Sequence, residues 1–377
     1  MASIRKRNWK TAKGKERTAY TVDYTDSYGG RQRKQFVRWK EADSFRIKIE
    51  GQLSKGTYRP DAEKLTAREA CEAFLEHCDG RMRRNERMTR KMLTVYRGHV
   101  KNYILDPRHG LARYKLNHLT ARNVGDFRDR VRTAGVSVPT TRKILSTLHV
   151  ALEYAISQDW LAVNAAHGVK VIGSRDEGSK RIIPPTKDQM KTILKAANED
   201  TQFMILFAAS TGLRAGEQWA LRWADINFEQ STLRVLRRVD SYGEEGPPKS
   251  AAGVRDVPLS EHLLYKLRER RIRSPYSANE DLIFANKRGS HTCHDNMVKR
   301  RFRPAVLIAE KPNINWHSLR HYAISTWIEA GLAPKTIQTF AGHSSLQVTM
   351  DRYGHLFPSA DHNRTMDKIA DDLIGRI

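Results

Sequence analysis

Five residues in the last third of the chain are of the types that can cleave a phosphodiester. They are Arg214, His317, Arg320, His343 and Tyr353. Guanidinium groups bind phosphate oxygens through paired hydrogen bonds, imidazoles carry protons near neutral pH, and a phenol oxygen can attack phosphorus. No cluster of metal-ligand residue types accompanies them. The set therefore predicts phosphodiester chemistry that needs no metal ion or other cofactor.

The charge of the chain favours nucleic acid as the partner. Its 377 residues include 67 Lys or Arg against 42 Asp or Glu, which gives a net charge of +25. The basic residues lie along the whole chain, whereas a basic tail or a membrane-binding helix would concentrate them. A polyanionic partner is therefore favoured over a solvated or membrane-bound basic surface. A chain of this length is expected to fold as two or three domains.

The three cysteines do not indicate a disulfide framework or a zinc module. Cys71 and Cys78 share one face of a predicted helix and are expected to be small buried core residues. His291, Cys293 and His294 lack a fourth ligand nearby, so a metal site is not favoured there. The longest apolar run is too short to cross a bilayer, and the N-terminus lacks a signal-peptide core. A cytoplasmic location in a bacterial host is expected.

Residues 1–57 are predicted to form a small sheet closed by a helix. Three segments alternate in the manner of strands, and a helix follows; they cover 4–10, 17–24, 31–37 and 41–53. The first 40 residues hold twelve Lys or Arg against three Asp or Glu, interspersed with aromatic residues. Such a sheet can enter a DNA groove while its basic side chains contact phosphates. The alternative is a small basic domain that binds another protein.

Residues 64–165 are predicted to form four helices. Two begin at the N-cap threonines Thr66 and Thr120, and two show apolar residues at helical spacing. They cover 67–78, 88–104, 121–132 and 140–160. Their basic faces favour DNA contact over a solvated surface. The glycines, serines and adjacent prolines of residues 168–184 predict a linker to a third region, residues 185–377.

Two motifs of the third region could bind or protonate phosphate oxygens. Arg214 follows a glycine-broken turn at the start of a predicted helix, where the helix dipole and the guanidinium together favour an anion. Glu217 could hold that side chain, although an Arg–Glu pair at this spacing is more often a surface salt bridge. Lys249 lies on a predicted hairpin between segments 232–239 and 253–259. It could protonate a leaving oxygen or be one more solvated base.

The remaining residues are spaced along two later segments. His317 and Arg320 lie three residues apart and share a helical face, whereas His321 is expected to face elsewhere. His343 follows a glycine and precedes Tyr353 by ten residues. Taken singly, none of these residues establishes a function.

The order and spacing of the motifs resemble the catalytic domain of the tyrosine recombinases, the phage integrase family. The shared motifs are Thr-Gly-Leu-Arg-x-Gly-Glu, a hairpin lysine before Val-Pro-Leu, His-x-Leu-Arg-His, and Gly-His followed ten residues later by Tyr. The segment Leu-Arg-Trp-Ala-Asp-Ile after the first motif is also typical. The chain departs from the family at Gly216, where Ser is frequent, at Ala341, where Leu is commoner, and after Asn164, where Pro is usual. No departure removes a catalytic group.

The resemblance implies a multidomain α+β fold. Residues 1–57 resemble an arm-type DNA-binding domain, and residues 64–165 resemble the SAM-like helical core-binding domain. Residues 185–377 would form a mainly helical catalytic domain with a small antiparallel sheet. The implied function is site-specific recombination by the integrase of a phage or other mobile element. A homotetramer would act on core and arm-type attachment sites, with accessory DNA-bending or directionality proteins as further partners.

The resemblance also assigns the reactive groups. Tyr353 would attack the phosphodiester, forming a 3′-phosphotyrosyl link and releasing a 5′-hydroxyl without ATP. His317 would accept the phenol proton, and Lys249 would protonate the departing oxygen.

Four further residues would bind the phosphate or support its binding. Arg214 and Arg320 would bind its non-bridging oxygens, and His343 would donate a hydrogen bond to it. Glu217 would position the first arginine and support the surrounding fold.

Two other functions use related features. An enzyme similar to type IB topoisomerases would rejoin the original strand, although the basic N-terminal sheet argues against this. A non-catalytic DNA-binding protein on the same fold would have lost the activity. After Tyr353 a helix is expected to dock on its own chain or on a neighbouring protomer, through an apolar stripe formed by Met366, Ile369, Ala370, Leu373 and Ile374.

Overall fold

The computed structural model divides the chain into two compact units, Met1–Ser179 and Lys180–Ile377. It describes residues 2–10, 16–26, 29–173, 182–311, 313–357 and 362–374. The division falls inside the predicted linker 168–184, of which residues 174–181 lie outside the described part. The first unit contains both the predicted sheet and the predicted four-helix region. Their assignment to two separate domains stays a prediction.

The first unit begins with a three-stranded antiparallel sheet of order β1-β2-β3. The strands are β1 (Ser3–Lys10), β2 (Glu16–Thr25) and β3 (Arg31–Phe36), and helix α1 (Trp39–Ser54) follows. Because side chains alternate across a sheet, Val22 and its partner Ile4 face α1, where Val22 packs with Ala42 and Ile49. The opposite face carries exposed arginines. The predicted small sheet with its closing helix is confirmed.

Four longer helices complete the first unit, as predicted. They are α2 (Ala67–Arg83), α3 (Arg90–His99), α4 (Ala121–Thr133) and α5 (Val138–Ser157). Thr66 and Thr120 form the capping boxes of α2 and α4. Cys71 and Cys78 are buried in the core of this bundle, and burial raises the pKa of Cys71 to about 12.

The second unit is mainly helical. Its helices are α6 (Lys187–Ala196), α7 (Glu199–Thr211), α8 (Ala215–Trp219), α9 (Glu261–Arg273), α10 (His294–Met297), α11 (Arg303–Ile308), α12 (Trp316–Glu329), α13 (Pro334–Ala341), α14 (Leu346–Tyr353) and α15 (His362–Ile374). Its strands are β4 (Ile226–Asn227), β5 (Thr232–Val235), β6 (Arg238–Val239), β7 (Glu245–Gly246) and β8 (Arg255–Pro258).

The predicted hairpin is present but contains a second, smaller pair of strands. β4, β5 and β8 form one antiparallel sheet, in which Leu233 pairs with Val257. The segment 232–239, predicted as one strand, is interrupted after Val235. β6 instead pairs with β7 in a separate two-stranded ribbon, which lies between β5 and β8 in the sequence. The connection that carries Lys249 therefore follows this inner ribbon.

Two apolar clusters stabilise the second unit. The larger one surrounds the buried rings of Phe207, Trp219, Trp223 and Phe284. The smaller one joins side chains of α12 and α13 to the end of α14, and its members include Ile324, Ile328, Ile337, Ala341 and Tyr353. The smaller cluster thus packs the tyrosine at the end of α14 against side chains of α12 and α13.

The apolar stripe of α15 is only partly described. Met366, Ile369 and Ala370 are exposed, and the side chains of Leu373 and Ile374 lie outside the described residues. Within the described chain, no helix combines the length and the apolar character needed to cross a membrane.

Candidate active site

Arg214 lies at the N-terminus of α8, where Glu217 holds it twice. Gly212 ends α7 in the left-handed conformation, with φ of 61°, so the chain turns sharply before Arg214. The Glu217 carboxylate accepts hydrogen bonds from the backbone nitrogen of Arg214 at 3.0 Å and from its Nη1 at 2.8 Å. Nη2 donates to the carbonyl oxygen of Gly342 at 3.0 Å. The guanidinium is thereby fixed while a third of the side chain stays exposed.

Arg255 supports this arrangement and was not singled out from the sequence. It is buried on β8, and its Nη2 donates to Glu217 Oε2 at 2.9 Å. Its Nε donates to the carbonyl of Phe340 and its Nη1 to that of Gly253. Burial acts to raise the pKa of Glu217, but Arg255 and Arg214 outweigh it and hold that pKa below its ordinary value. The carboxylate is thus charged between two arginines.

Arg320 is fixed by the carbonyl ends of two other helices. Its Nη1 donates to Gly212, which caps α7, and its Nη2 donates to Ala341, the last residue of α13. Helix C-termini attract cations, which helps to hold a charge that is only 3% exposed. Burial and the nearby Arg214 lower the pKa of Arg320 to about 9, so it stays protonated at neutral pH. The two arginines bind the consecutive carbonyls of Ala341 and Gly342.

His343 is buried beside these arginines and is neutral at physiological pH. Burial lowers its pKa to about 3, and Arg320 and Arg214 add to the effect. Its Nδ1 lies 2.9 Å from the Thr349 hydroxyl. Its ring stacks on that of Tyr353, with centroids 6.1 Å apart and planes 14° apart.

Tyr353 is the last residue of α14, and its hydroxyl is bound to a histidine. The side chain is 1% exposed, and Tyr353 Oη lies 2.6 Å from His321 Nδ1. Burial raises the pKa of Tyr353, while Arg320, Arg352 and Arg214 partly offset this. The phenol therefore keeps its proton at neutral pH.

The prediction that His321 faces elsewhere is wrong. It follows His317 by four residues on α12, so the two imidazoles lie on the same helical face, with centroids 4.7 Å apart. His321 is therefore directed at Tyr353, whereas His317 lies one turn earlier and is exposed. Neighbouring side chains exclude water from part of the His317 ring, and this desolvation, together with His321 and Arg320, lowers the pKa of His317 to about 4. No hydrogen bond joins His317 to Tyr353 among the described residues.

Lys249 lies outside this network. It is exposed on the connection between β7 and β8, and it has no hydrogen bond or ion pair with the described residues. The structure thus gathers six of the seven candidate residues and leaves the lysine on the surface.

The cluster of His291, Cys293 and His294 is not assembled around a common point. His291 Nε2 lies 2.7 Å from Glu245, while His294 Nδ1 accepts from the indole of Trp219 at 3.3 Å. Within the described ranges, no group of three or more His, Cys, Asp or Glu could hold a metal ion.

The assembled groups are suited to phosphoryl transfer. Two arginines present fixed positive charge, neutral imidazoles can exchange protons, and a phenol lies beside them. The class of protein that the fold and these groups define is an enzyme acting on a phosphodiester.

Comparison with known proteins identifies the family. Residues 185–359 match the phage integrase family. A tyrosine recombinase XerC-like protein of Caldanaerobacter subterraneus subsp. tengcongensis is 28% identical over 306 residues, which cover 74% of this chain and 78% of that protein. The ICEBs1 integrase of Bacillus subtilis is 26% identical over 295 residues, 73% of this chain and 75% of that protein.

A solved structure shows the same fold. It is that of the Tn1549 transposon integrase in complex with a circular intermediate DNA, with a TM-score of 0.63 at 17% identity, over 81% of this chain and 99% of that one. Residues 185–359 form a domain of the phage integrase family, and the protein is a tyrosine recombinase, an enzyme that cleaves and rejoins DNA. It is an integrase of the kind carried by prophages and other mobile elements.

Proposed function

We propose that this recombinase cleaves DNA by direct attack of Tyr353 on a phosphodiester, with the 3′ phosphate becoming linked to the phenol oxygen. The observation that carries the proposal is the position of Tyr353 beside two fixed arginines and the imidazoles of His321 and His343. The energy of the broken bond is kept in the phosphotyrosyl link. Rejoining to a new 5′-hydroxyl therefore requires no ATP.

Arg214 and Arg320 bind the non-bridging oxygens of the scissile phosphate. Each guanidinium is already oriented by backbone carbonyls, so little reorganisation is needed when charge builds up on phosphorus. Each Nη group carries two hydrogens, and the bonds described use one of them, which leaves donors for the phosphate. Removing one such stabilising group typically costs about 3 kcal/mol in the transition state.

The leaving oxygen and the phosphate need further donors. Lys249 protonates the departing 5′ oxygen, which requires the exposed connection to approach the DNA when it binds. His317 accepts the proton of Tyr353, His343 donates to the phosphate, and Glu217 orients Arg214 from its buried position. Each of these roles is supported by residue type and location within the second unit.

The first unit binds DNA through two surfaces. The sheet presents exposed Arg5, Arg7 and Arg33 on the face away from α1, which suits contact with an arm-type site. The helical region and the catalytic unit each bind the core site. Lambda integrase, another solved structure with the same fold, was crystallised as a dimer bound to a core site. The present protein acts as a homotetramer on paired sites in the bacterial cytoplasm, aided by DNA-bending or directionality proteins.

A suicide substrate tests the proposal. Cleavage of a duplex nicked close to the cleavage site releases a short fragment with the 5′-hydroxyl, which diffuses away and leaves the covalent adduct trapped. The wild-type chain should form a Tyr353-dependent adduct that survives denaturing electrophoresis, with or without EDTA. Tyr353→Phe should bind the same duplex with unchanged affinity and form no adduct. An adduct in that variant, or wild-type cleavage abolished by EDTA, would contradict the assignment.

Exchange between two duplexes separates recombination from simple relaxation. Two labelled duplexes with the attachment core should yield chimeric products with the wild-type chain. Supercoil relaxation without such products would indicate the topoisomerase-like reaction instead.

A further inference from the structure

We propose that Arg255 is a positioning residue for Lys249, because it anchors the connection that carries this lysine to the turn 340–343 at the end of α13. The proposal rests on the role of Lys249 stated above. As the P–O5′ bond breaks, the Lys249 ammonium gives one proton to the departing oxygen and remains as a neutral amine. A lysine on a flexible stem performs this step only where its backbone is held close to the phosphate.

The turn at the end of α13 is held by three different arginines. The consecutive carbonyls of residues 340–342 accept hydrogen bonds, in that order, from Arg255, Arg320 and Arg214. Arg320 and Arg214 are the proposed phosphate ligands. Arg255 differs from them, because it is buried and its Nη2 is taken up by Glu217. It therefore binds the same turn from the interior of the protein.

A further contact of Arg255 reaches the connection that carries Lys249. Its Nη1 donates to the carbonyl of Gly253 at 2.9 Å. The backbone nitrogen of Gly253 donates to the carbonyl of Ser250 at 2.9 Å, which closes a short turn directly after Lys249. Lys249 lies four positions before Gly253, so even a fully extended chain would keep their Cα atoms within about 14 Å. The anchor therefore limits how far the lysine can lie from the site.

The connection also packs closely on both sides of this anchor. A Cβ on Gly253 would lie 2.4 Å from the Cβ of Pro248, the residue that precedes Lys249. A Cβ on Gly342 would lie 3.0 Å from the carbonyl oxygen of Ala252. Both contacts depend on the absence of a side chain at these glycines. The lysine thus lies on a turn that is packed against the one whose carbonyls orient the phosphate-binding arginines.

Gly253→Ala tests the anchor without removing a charge or a hydrogen-bonding group. The added methyl group must displace the rigid ring of Pro248, and Lys249 with it. Single-turnover adduct formation on the suicide substrate, at saturating DNA, should slow by about 10- to 100-fold, because a misplacement of about 1 Å can have an effect of this size. Gly246→Ala is the matched control and should react at the wild-type rate. Gly246 lies on β7 in the same connection, and a Cβ there meets nothing within 4 Å in the described chain.

Arg255→Lys tests the arginine itself. The lysine keeps a positive charge beside Glu217, but its single ammonium cannot span the partners that the planar guanidinium reaches. Adduct formation should slow as it does in Gly253→Ala. Arg237→Lys is the matched control and should react at the wild-type rate, since Arg237 pairs at 2.6 Å with the buried Asp225 instead of with Glu217.

A duplex with sulfur at the bridging 5′ position separates misplacement of the lysine from other damage. The thiolate leaves without a proton, so Lys249→Ala should regain activity on this duplex. Gly253→Ala and Arg255→Lys should regain activity to a similar extent, which would also show that both variants are folded.

The two duplexes together distinguish the possible failures. If Lys249→Ala recovers on the sulfur duplex but Gly253→Ala or Arg255→Lys stays slow, the positioning role is refuted. A wild-type rate of either variant on the ordinary duplex would refute it as well. If Lys249→Ala stays slow on the sulfur duplex, it is the acid role of Lys249 that fails, and the positioning role fails with it.

Discussion

Two ion pairs of nearly equal length lie in very different parts of the molecule. Arg33 and Asp23 pair at 2.7 Å across the exposed N-terminal sheet, and Arg255 and Glu217 pair at 2.9 Å inside the catalytic unit. Arg33 keeps 70% of its side chain exposed, whereas the buried pair retains 2% and 3%. The length of an ion pair therefore says little about how much the pair contributes to stability. Its surroundings decide whether the cation stays available to DNA or fixes other groups.

If one residue of the buried pair is lost, nothing replaces the hydrogen bonds that it made. Glu217 would face Arg214 alone, and the carbonyls of Phe340 and Gly253 would lose their donor. The exposed pair differs, since Asp23 also lies 3.7 Å from Arg5 and both groups are hydrated. A surface pair of this kind contributes little, whereas breaking a buried one is costly.

The largest effect is expected from Arg255→Leu. It should lower the free energy of unfolding by about 3–5 kcal/mol, because it leaves a buried carboxylate with one partner fewer. Denaturant unfolding followed by tryptophan fluorescence measures this. Arg33→Leu is the matched control and should leave the transition unchanged. The double variant Arg255→Leu/Glu217→Gln should regain part of the stability. Equal losses of stability in Arg255→Leu and Arg33→Leu would remove the distinction between the buried and the exposed pair.

The second largest effect is expected from acid, which should lower the free energy of unfolding through the buried His343. The unfolded imidazole of His343 takes up a proton near its ordinary pKa of about 6.5, while the folded one, with its pKa lowered to about 3, resists protonation. The unfolded state therefore binds more protons in between, and His343 alone should cost about 3 kcal/mol of stability between pH 6.5 and 4. His343→Gln should show a correspondingly flatter pH profile of unfolding. Parallel profiles would show that the imidazole is not held neutral.

Local signals predicted much of this fold from the sequence. Thr66 and Thr120 marked helix starts because a threonine side chain satisfies the free N–H groups there. The alternating residue pattern of the segments that form β1 to β3 predicted the sheet. The departure at Gly216 has a physical reason in the structure, because a Cβ there would lie 2.4 Å from the carbonyl oxygen of Val239. β6 approaches α8 too closely for a serine at this position.

The buried network could not be predicted in the same way. Arg255 bonds to Glu217, 38 residues away, and to a carbonyl 85 residues away, so its role depends on tertiary contacts. The signal available was a basic residue at an inward position of β8, which alternates buried and exposed residues. His321 could have been placed by its spacing of four from His317. Which of the two meets Tyr353 depends on how α14 packs against α12.

The smallest effect is expected from an exposed arginine of the sheet. Arg7→Ala should weaken DNA binding about equally for all sequences and reduce the slope of log affinity against log salt by about 1, because one phosphate contact is lost. Titrations at several salt concentrations measure this, and cleavage of fully bound substrate should be unchanged. Arg46→Ala is the control, since Arg46 pairs with Asp43 and Glu50 on α1, which packs against the opposite face of the sheet. An unchanged slope in Arg7→Ala would show that this exposed arginine does not contact a DNA phosphate. The contrast between the two regions would then depend only on the stability effects of the buried arginines.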